Sequence, residues 1–358
     1  MKRAIGVTIV LLLAGCQLSD DPQFENPPNA AAEPELKNSY ETLEAQLRCT
    51  DFSHVDKPPI LLVHGTFTAG WEQYEWSYIP VLSELGYDVC TTTYPDRGLG
   101  DLQNSAEYVV HALRRIHEMT GRKVAVIGHS QGVAVPRWAI KWWASAREAV
   151  DDFVMIAGPN QGTAIADPLA ILERLLGIEL PLTGADLPLP AAFHQMAYGS
   201  QFMRASNWQD ETPGDISYTA IYTLFDELVQ PVTPVPVAAV DFGKGNPNVT
   251  NLLLQDLCPG YVMEHALIGL ADAVTFNLAL DAINHPGPAN IERAGGTALC
   301  GLPLLPELSI SVPGLISGGA AIPALEFENG PPSALHLSAG EPPLRDYAQT
   351  ALDSDQSN

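Results

Sequence analysis

The chain has 358 residues, of which 46% are hydrophobic, and it carries a formal net charge of −24 at pH 7. This length is sufficient for one large α/β domain. Because the charge is strongly acidic and no basic stripe is present, the composition argues against nucleic-acid binding.

The first 15 residues have the composition of an export signal. Positive charge at Lys2 and Arg3 precedes an apolar run that is too short to remain as a membrane span. The run ends at Leu13-Ala-Gly-Cys16, which resembles the lipobox of bacterial lipoproteins. An ordinary secretory signal that contains a cysteine is the alternative. We predict a signal peptide over 1–15 and a lipid-anchored Cys16. By resemblance to that family, Gln17 favours the outer membrane of a Gram-negative cell, on either face.

The composition divides the remaining chain into three parts. Residues 16–48 are predicted to be a flexible, solvated tether, since the stretch from Ser19 to about Tyr40 is rich in Asp, Glu, Asn, Pro and Ala. The folded domain is predicted over 49–300. Residues 301–358 form a Leu-, Pro- and Gly-rich extension, and we expect its polar end to be disordered.

Strand and helix signals alternate through the domain, which predicts a parallel sheet flanked by helices. The alternation breaks over about 160–212, and within it the prolines of 180–190 exclude a regular helix or strand. We interpret 160–212 as a cap over the site. A loop packed elsewhere is the alternative. The predicted strands are 59–63, 87–93, 123–127, 152–157 and 217–225, and the predicted helices include 76–85, 105–120 and 266–283.

The most informative motif is Gly128-His-Ser-Gln-Gly132, which follows an apolar strand and precedes a helical pattern. A G-x-S-x-G turn in this setting is typical of a nucleophile elbow. Small residues permit the sharp turn that exposes the serine hydroxyl. A Gly-Ser surface turn is the alternative. The flanking elements favour Ser130 as a catalytic nucleophile.

A serine nucleophile needs a base to accept its proton and an acid to orient that base. Asp226 ends an apolar strand, which would place its carboxylate at the carboxyl edge of the sheet. Glu227 is the rival acid, and a solvated charge pair is the alternative for either residue. The predicted base is His265, which opens an apolar helix. Two other histidines are less well placed, one beside a proline and one in the predicted cap: His285 and His194.

An oxyanion hole needs donors aimed at the developing charge. The backbone N–H of Gln131, directly after the serine, is the first predicted donor. The second is expected from the loop after the first strand, residues 64–68. Within that loop, Thr66 can donate both its N–H and its hydroxyl.

Six short segments support a more specific assignment. They are LLVHGT at 61–66, LGYDVC at 85–90, SQG at 130–132, AGPNQGT at 157–163, DELVQP at 226–231 and EHA at 264–266. In this order they resemble the Candida antarctica lipase B-like serine lipases of the α/β-hydrolase superfamily. The resemblance covers roughly residues 49–300. It implies an α/β-hydrolase fold, with a mostly parallel central sheet flanked by helices and a cap insertion.

Residue by residue, the resemblance assigns the nucleophile, acid and base to Ser130, Asp226 and His265. It assigns the oxyanion hole to Thr66 and Gln131. The implied activity is hydrolysis of carboxylic esters, acylglycerols among them, through an acyl-enzyme. An acyltransferase or a polyester depolymerase would use the same triad, and a non-catalytic surface lipoprotein is a further alternative. No cofactor or metal is implied, and the oligomeric state is not predicted.

The cysteines give an independent prediction. The chain has 5 cysteines, and setting Cys16 aside leaves four, which in an exported protein suggests two disulfides with three possible connectivities. The family resemblance implies the pairs Cys49–Cys90 and Cys258–Cys300. The chain departs from the family at two positions near the site, since His129 replaces a tryptophan and Asn160 replaces an aspartate.

Overall fold

The computed structural model describes residues 33–164, 189–301, 304–305 and 337–356. A seven-stranded sheet forms the centre of this part of the chain. The described strands are β1 (Leu47–Cys49), β2 (Ile60–Val63), β3 (Val89–Thr92), β4 (Val124–His129), β5 (Val150–Ile156), β6 (Leu189–Pro190), β7 (Ser217–Tyr222), β8 (Val249–Leu253) and β9 (Leu337–Ser338).

Helices lie on the connections between these strands. The described α-helices are α1 (Tyr40–Glu44), α2 (Gly70–Tyr74), α3 (Tyr78–Glu84), α4 (Leu102–Thr120), α5 (Gln131–Trp142), α6 (Ala144–Glu148), α7 (Ala191–Met196), α8 (Gln201–Ser206), α9 (Leu254–Leu257), α10 (His265–Leu270), α11 (Ala273–Asn284), α12 (Ile291–Ala294) and α13 (Asp346–Gln356). Short 3₁₀ turns occur at Pro95–Gly98 and Gly296–Gly301.

The strand order in the sheet is β1-β3-β2-β4-β5-β7-β8, and every neighbouring pair is parallel except β1 with β3. The predicted α/β fold with a mostly parallel sheet is confirmed. Parallel strands covered by helices on both faces are buried on both sides, which explains the uninterrupted apolar runs of β2 and β4. The carboxyl ends of these strands meet at one edge, where the residues after β2, β4 and β7 come together.

One apolar core fills each face of the sheet. Helices α4 and α5 cover one face, where Leu113 and Trp138 are fully buried. Helices α3 and α11 cover the other face through Tyr78 and Phe276. Helix α4 shows local sequence control, since Asp101 caps its first turn by accepting from the Gln103 N–H at 2.9 Å.

The single helix predicted over 266–283 is two helices in the structure, α10 and α11. The chain breaks at Asp272, whose carboxylate accepts from the N–H groups of Val274 and Thr275 and so begins α11. A buried N-cap of this kind competes with helix continuation, which apolar periodicity alone does not reveal.

The boundary of the predicted tether also differs. Residues 33–48, expected to belong to it, contain α1 and the first two residues of β1 and lie against the domain. Glu107 accepts from the N–H groups of Lys37 and Asn38, and Glu33 pairs with Arg114. These carboxylate contacts add to the packing of the buried Leu43 in the core. The predicted signal peptide and Cys16 lie outside the described residues.

The described end of the C-terminal extension returns to the domain. Strand β9 pairs with β6, and α13 brings Tyr347 against Trp138, whose indole N–H donates to the tyrosine hydroxyl at 3.0 Å. The end expected to be disordered therefore includes a helix up to Gln356. Part of the predicted cap, residues 165–188, lies outside the described residues, while α7 and α8 belong to its described part.

Both disulfides implied by the family resemblance are present. Cys49–Cys90 joins the paired strands β1 and β3, and Cys258–Cys300 joins the end of α9 to the 3₁₀ turn Gly296–Gly301. Within the part of the chain that the structure describes, only His265–Asn284, which spans α10 and α11, is long and apolar enough to cross a membrane, and 72% of its apolar 18-residue window is buried.

Candidate active site

Ser130 stands on a sharp turn between β4 and α5. Its φ of 56° and ψ of −127° lie outside the regions that L residues ordinarily adopt, and such a residue costs on the order of 1–3 kcal/mol. The turn needs small neighbours. A Cβ at Gly128 would approach the Gly132 carbonyl oxygen to 2.1 Å, and a Cβ at Gly132 would approach the Val63 oxygen to 2.1 Å. The G-x-S-x-G spacing therefore follows from close backbone packing.

The three residues predicted as nucleophile, base and acid lie in one hydrogen-bonded row. The Ser130 hydroxyl is 2.9 Å from His265 Nε2. On the other side of the ring, His265 Nδ1 is 2.9 and 3.0 Å from the two carboxylate oxygens of Asp226. This arrangement can transfer the serine proton to the imidazole while the carboxylate holds the ring orientation.

Burial and charge oppose each other at His265. The ring is buried, which disfavours its charged form, but the carboxylates of Asp226, Glu227 and Glu264 outweigh this and raise its pKa to about 9. Asp226 is also buried, and it accepts the backbone N–H groups of Leu228 and Val229 at 2.9 and 2.7 Å. These bonds fix the carboxylate in an orientation that favours an imidazolium.

Glu227, the rival acid, has a different place. Its carboxylate accepts the backbone N–H of His265 at 3.2 Å, while Asp226 contacts the ring itself. Burial raises the pKa of Glu227, although the nearby His265 opposes this. Glu264 caps α10 through the N–H groups of Ala266 and Leu267, both at 2.7 Å. The neighbouring carboxylates therefore hold the main chain around the base.

The predicted oxyanion donors flank the serine. Gln131 is the first residue of α5 and is fully buried, while Thr66 lies half-buried in the loop after β2. That loop approaches the elbow closely, because a Cβ at Gly65 would lie 3.3 Å from the Cβ of Ser130. Gln73 holds the loop by accepting from the Gly65 N–H at 2.8 Å.

Sequence reasoning missed a contact between the elbow and the helix of the base. The ring of His129 donates through Nε2 to the carbonyl oxygen of His265 at 2.8 Å. The ring occupies space left by Gly269, where a Cβ would lie 2.0 Å from His129 Cδ2. The departure from the family pattern at position 129 was the available signal.

His285 and His194 lie away from these three residues. Nδ1 of His285 bonds the carbonyl oxygen of Asp281 at 2.9 Å, and Nε2 of His194 bonds that of Ser338 at 3.0 Å. Asn160 is buried and donates to the carbonyl of Ala238. Among the described residues, no three or more His, Cys, Asp or Glu side chains are placed so that they could hold a metal ion.

Comparisons with known proteins identify the family of the chain. The family model described as Lipase (class 2) matches residues 57–237. Lipase B of Pseudozyma antarctica is 28% identical over 319 residues, which are 87% of each chain. Triacylglycerol lipase of Pseudomonas fragi is 32% identical over 120 residues, 32% of this chain and 38% of that protein.

The crystal structure of Aspergillus fumigatus lipase B is similar at a TM-score of 0.74 and 26% identity, over 89% of this chain and 74% of that one. The family model, over residues 57–237, covers half of this chain. The chain belongs to the class 2 lipase family and is a carboxylic ester hydrolase.

Proposed function

We propose that Ser130, His265 and Asp226 form the catalytic triad of a lipase that cleaves acyl esters, acylglycerols among them, through an acyl-enzyme. The row of hydrogen bonds from the Ser130 hydroxyl through the imidazole to the Asp226 carboxylate carries this proposal. The membership of the chain in a lipase family supports the substrate class.

In the first half-reaction, Ser130 Oγ attacks the ester carbonyl carbon while its proton passes to His265 Nε2. Asp226 stabilises the resulting imidazolium through Nδ1–H. The carbonyl oxygen becomes negatively charged and accepts from the N–H of Gln131 and from Thr66. Collapse of the tetrahedral intermediate breaks the bond to the alcohol oxygen, which leaves with the proton from His265.

In the second half-reaction, water occupies the place of the alcohol. His265 takes a proton from this water, whose oxygen attacks the acyl carbon. The same donors stabilise the second oxyanion. Its collapse releases the carboxylic acid and returns the proton to Ser130 Oγ, so that the enzyme is regenerated without a cofactor in any step.

The test compares three variants on a soluble p-nitrophenyl ester. Ser130→Ala and Asp226→Asn should each lower kcat by roughly 10⁴-fold, in line with other serine triads, while the melting temperature shows an intact fold. Glu227→Gln is the matched control, because its amide oxygen still accepts the His265 N–H. A larger loss for Glu227→Gln than for Asp226→Asn would reverse the assignment of the acid. A fluorophosphonate probe should label wild-type enzyme and not Ser130→Ala.

We further propose export and lipid anchoring through Cys16, with the outer membrane of a Gram-negative cell as the site. The two disulfides support this, since such bonds persist in oxidising compartments. Replacement of Cys16 by serine should move the expressed enzyme from the membrane fraction to the soluble fraction and abolish labelling by radioactive palmitate. An unlabelled wild-type enzyme in the soluble fraction would refute the anchor.

A further inference from the structure

A short turn at residues 94–98 contacts both sides of the predicted oxyanion hole. The Tyr94 hydroxyl donates to the carbonyl of His64 at the start of the 64–68 loop. Further along the same loop, the Phe67 N–H donates to the Arg97 carbonyl at 2.8 Å. These two bonds lie on either side of Thr66.

The same turn also reaches the second donor residue. The side-chain amide of Gln131 donates through Nε2 to the Gly98 carbonyl at 2.7 Å. This approach leaves no space for a side chain, because a Cβ at Gly98 would lie 2.2 Å from Gln131 Oε1. The 94–98 turn therefore sets the distance between the 64–68 loop and Gln131, the residue that follows Ser130.

The turn is held in an unfavourable backbone conformation. Asp96, Arg97 and Gly98 have consecutive φ values of 55°, 52° and 77°, and Phe67 has a φ of 68°. Three of these four residues are not glycine, and each left-handed L residue costs roughly 1–2 kcal/mol. Such a conformation persists only where the surroundings determine it, and it is concentrated at functional sites.

The side chain of Arg97 completes the contact. Its Nη1 lies 3.4 Å from the Phe67 carbonyl oxygen and 2.9 and 3.0 Å from the carboxylate oxygens of Glu72. Arg97 thus accepts the N–H of Phe67 with its main chain and binds the carbonyl of the same residue with its side chain. The Arg97 and Glu72 side chains are 28% and 40% exposed, so their ion pair adds little to global stability.

We propose that Arg97 is a positioning residue for the oxyanion hole, fixing Phe67 and thereby the donors of Thr66 relative to the N–H of Gln131. This inference rests on the proposed triad and oxyanion hole. Donors stabilise the transition state only if they are already aimed at the position of the developing charge. Loosening the loop should therefore affect the transition state more than the bound ester.

The test uses Arg97→Met, which keeps an unbranched side chain at the left-handed position and removes only the guanidinium. Arg115→Met is the matched control, because Arg115 on α4 also forms partly exposed ion pairs, with Glu118 of the same helix and with Glu44 of α1. Glu72→Gln should preserve function, since its amide oxygen still accepts from Arg97. The measurements are kcat and KM on p-nitrophenyl butyrate and the inhibition constant of an alkyl boronic acid, which forms a tetrahedral adduct at the serine.

For Arg97→Met we expect kcat and kcat/KM to fall together by about 10-fold or more, with KM changed by less than about twofold. The boronate inhibition constant should rise by a similar factor. Arg115→Met and Glu72→Gln should keep the wild-type kcat. Equal kcat values for Arg97→Met and Arg115→Met, or a rise in the KM of Arg97→Met with no change in its kcat, would overturn the inference. Ser130→Ala is measured in parallel. Undiminished activity of Ser130→Ala would show that the proposed triad itself is wrong, and this result is distinct from failure of the inference about Arg97.

Discussion

Replacement of Gly269 by alanine is the most direct probe of the contact between the elbow and the base. Gly269 lies on α10, the helix that begins at His265. An added Cβ would come within 2.0 Å of His129 Cδ2 and 2.3 Å of Cγ. The His129 ring is buried, and burial together with the nearby His265 lowers its pKa to about 3. It therefore stays neutral and donates to the His265 carbonyl.

The magnitude follows from what has to move. His129 directly precedes the proposed nucleophile, and α10 carries the proposed base, so relief of the overlap displaces one of the two. Overpacking of a buried site costs about 1–3 kcal/mol, and loss of the ring hydrogen bond adds about 1 kcal/mol. Because a displacement of about 1 Å at a catalytic group can cost about 10²-fold, we expect Gly269→Ala to lower kcat by that order.

Denaturant unfolding and steady-state kinetics measure both effects. In a His129→Ala background the space for the new methyl group exists, so Gly269→Ala should cost at least about 1 kcal/mol less there than in the wild type. Its effect on kcat should shrink in the same way. Additive losses in the double variant would show that the two residues do not act on each other, and the reasoning would be refuted.

Three further predictions concern separate groups. Thr66→Val keeps the shape of the side chain and removes its hydroxyl, so kcat and kcat/KM should fall together by about 10²–10³-fold, whereas an unchanged kcat with a lower melting temperature would assign the hydroxyl to loop stability. The proposed base must be neutral, so kcat/KM should rise with pH up to the His265 pKa of about 9. The stability that the charged ring contributes is complete below about pH 6.5 and should disappear as pH rises through 9. A kcat/KM profile that is flat above pH 6 would contradict the first statement, and a free energy of unfolding that stays constant through pH 9 would contradict the second. Burial and the neighbouring Asp151 raise the pKa of Asp152 to about 7, so its ionisation lowers the free energy of unfolding progressively between about pH 4 and pH 7. Asp152→Asn should therefore stabilise the protein by about 1–3 kcal/mol at pH 8 and leave its stability unchanged near pH 4, as measured by urea denaturation.

Features encoded by local pattern were predictable from sequence. The elbow has its own signature, because close packing permits only small residues at positions 128 and 132. The chain order of Ser130, Asp226 and His265, with apolar strands before the first two, placed all three at one edge of the sheet. The edge strand β1 was missed because it has three residues and pairs antiparallel, with no alternation long enough to detect.

Features created by tertiary contact were not predictable. The left-handed residues of the 94–98 turn include Asp96 and Arg97, and neither residue type indicates that conformation without knowledge of the loop it contacts. Glu227 and Asp226 are adjacent carboxylates at the end of one strand. Only their three-dimensional placement distinguishes the one that meets the imidazole ring from the one that accepts the main-chain N–H of His265.

The two supporting contacts act on different halves of the chemistry, and a single pH series separates them. His129 and Gly269 bear on the base, so a change there alters the surroundings of the imidazole and should shift the apparent pKa of kcat/KM. Arg97 bears on the oxyanion donors through Phe67. Loss of its guanidinium should therefore lower the plateau of kcat/KM while the apparent pKa stays in place. A shift of pKa in Arg97→Met would mean that the 94–98 turn acts through the base after all.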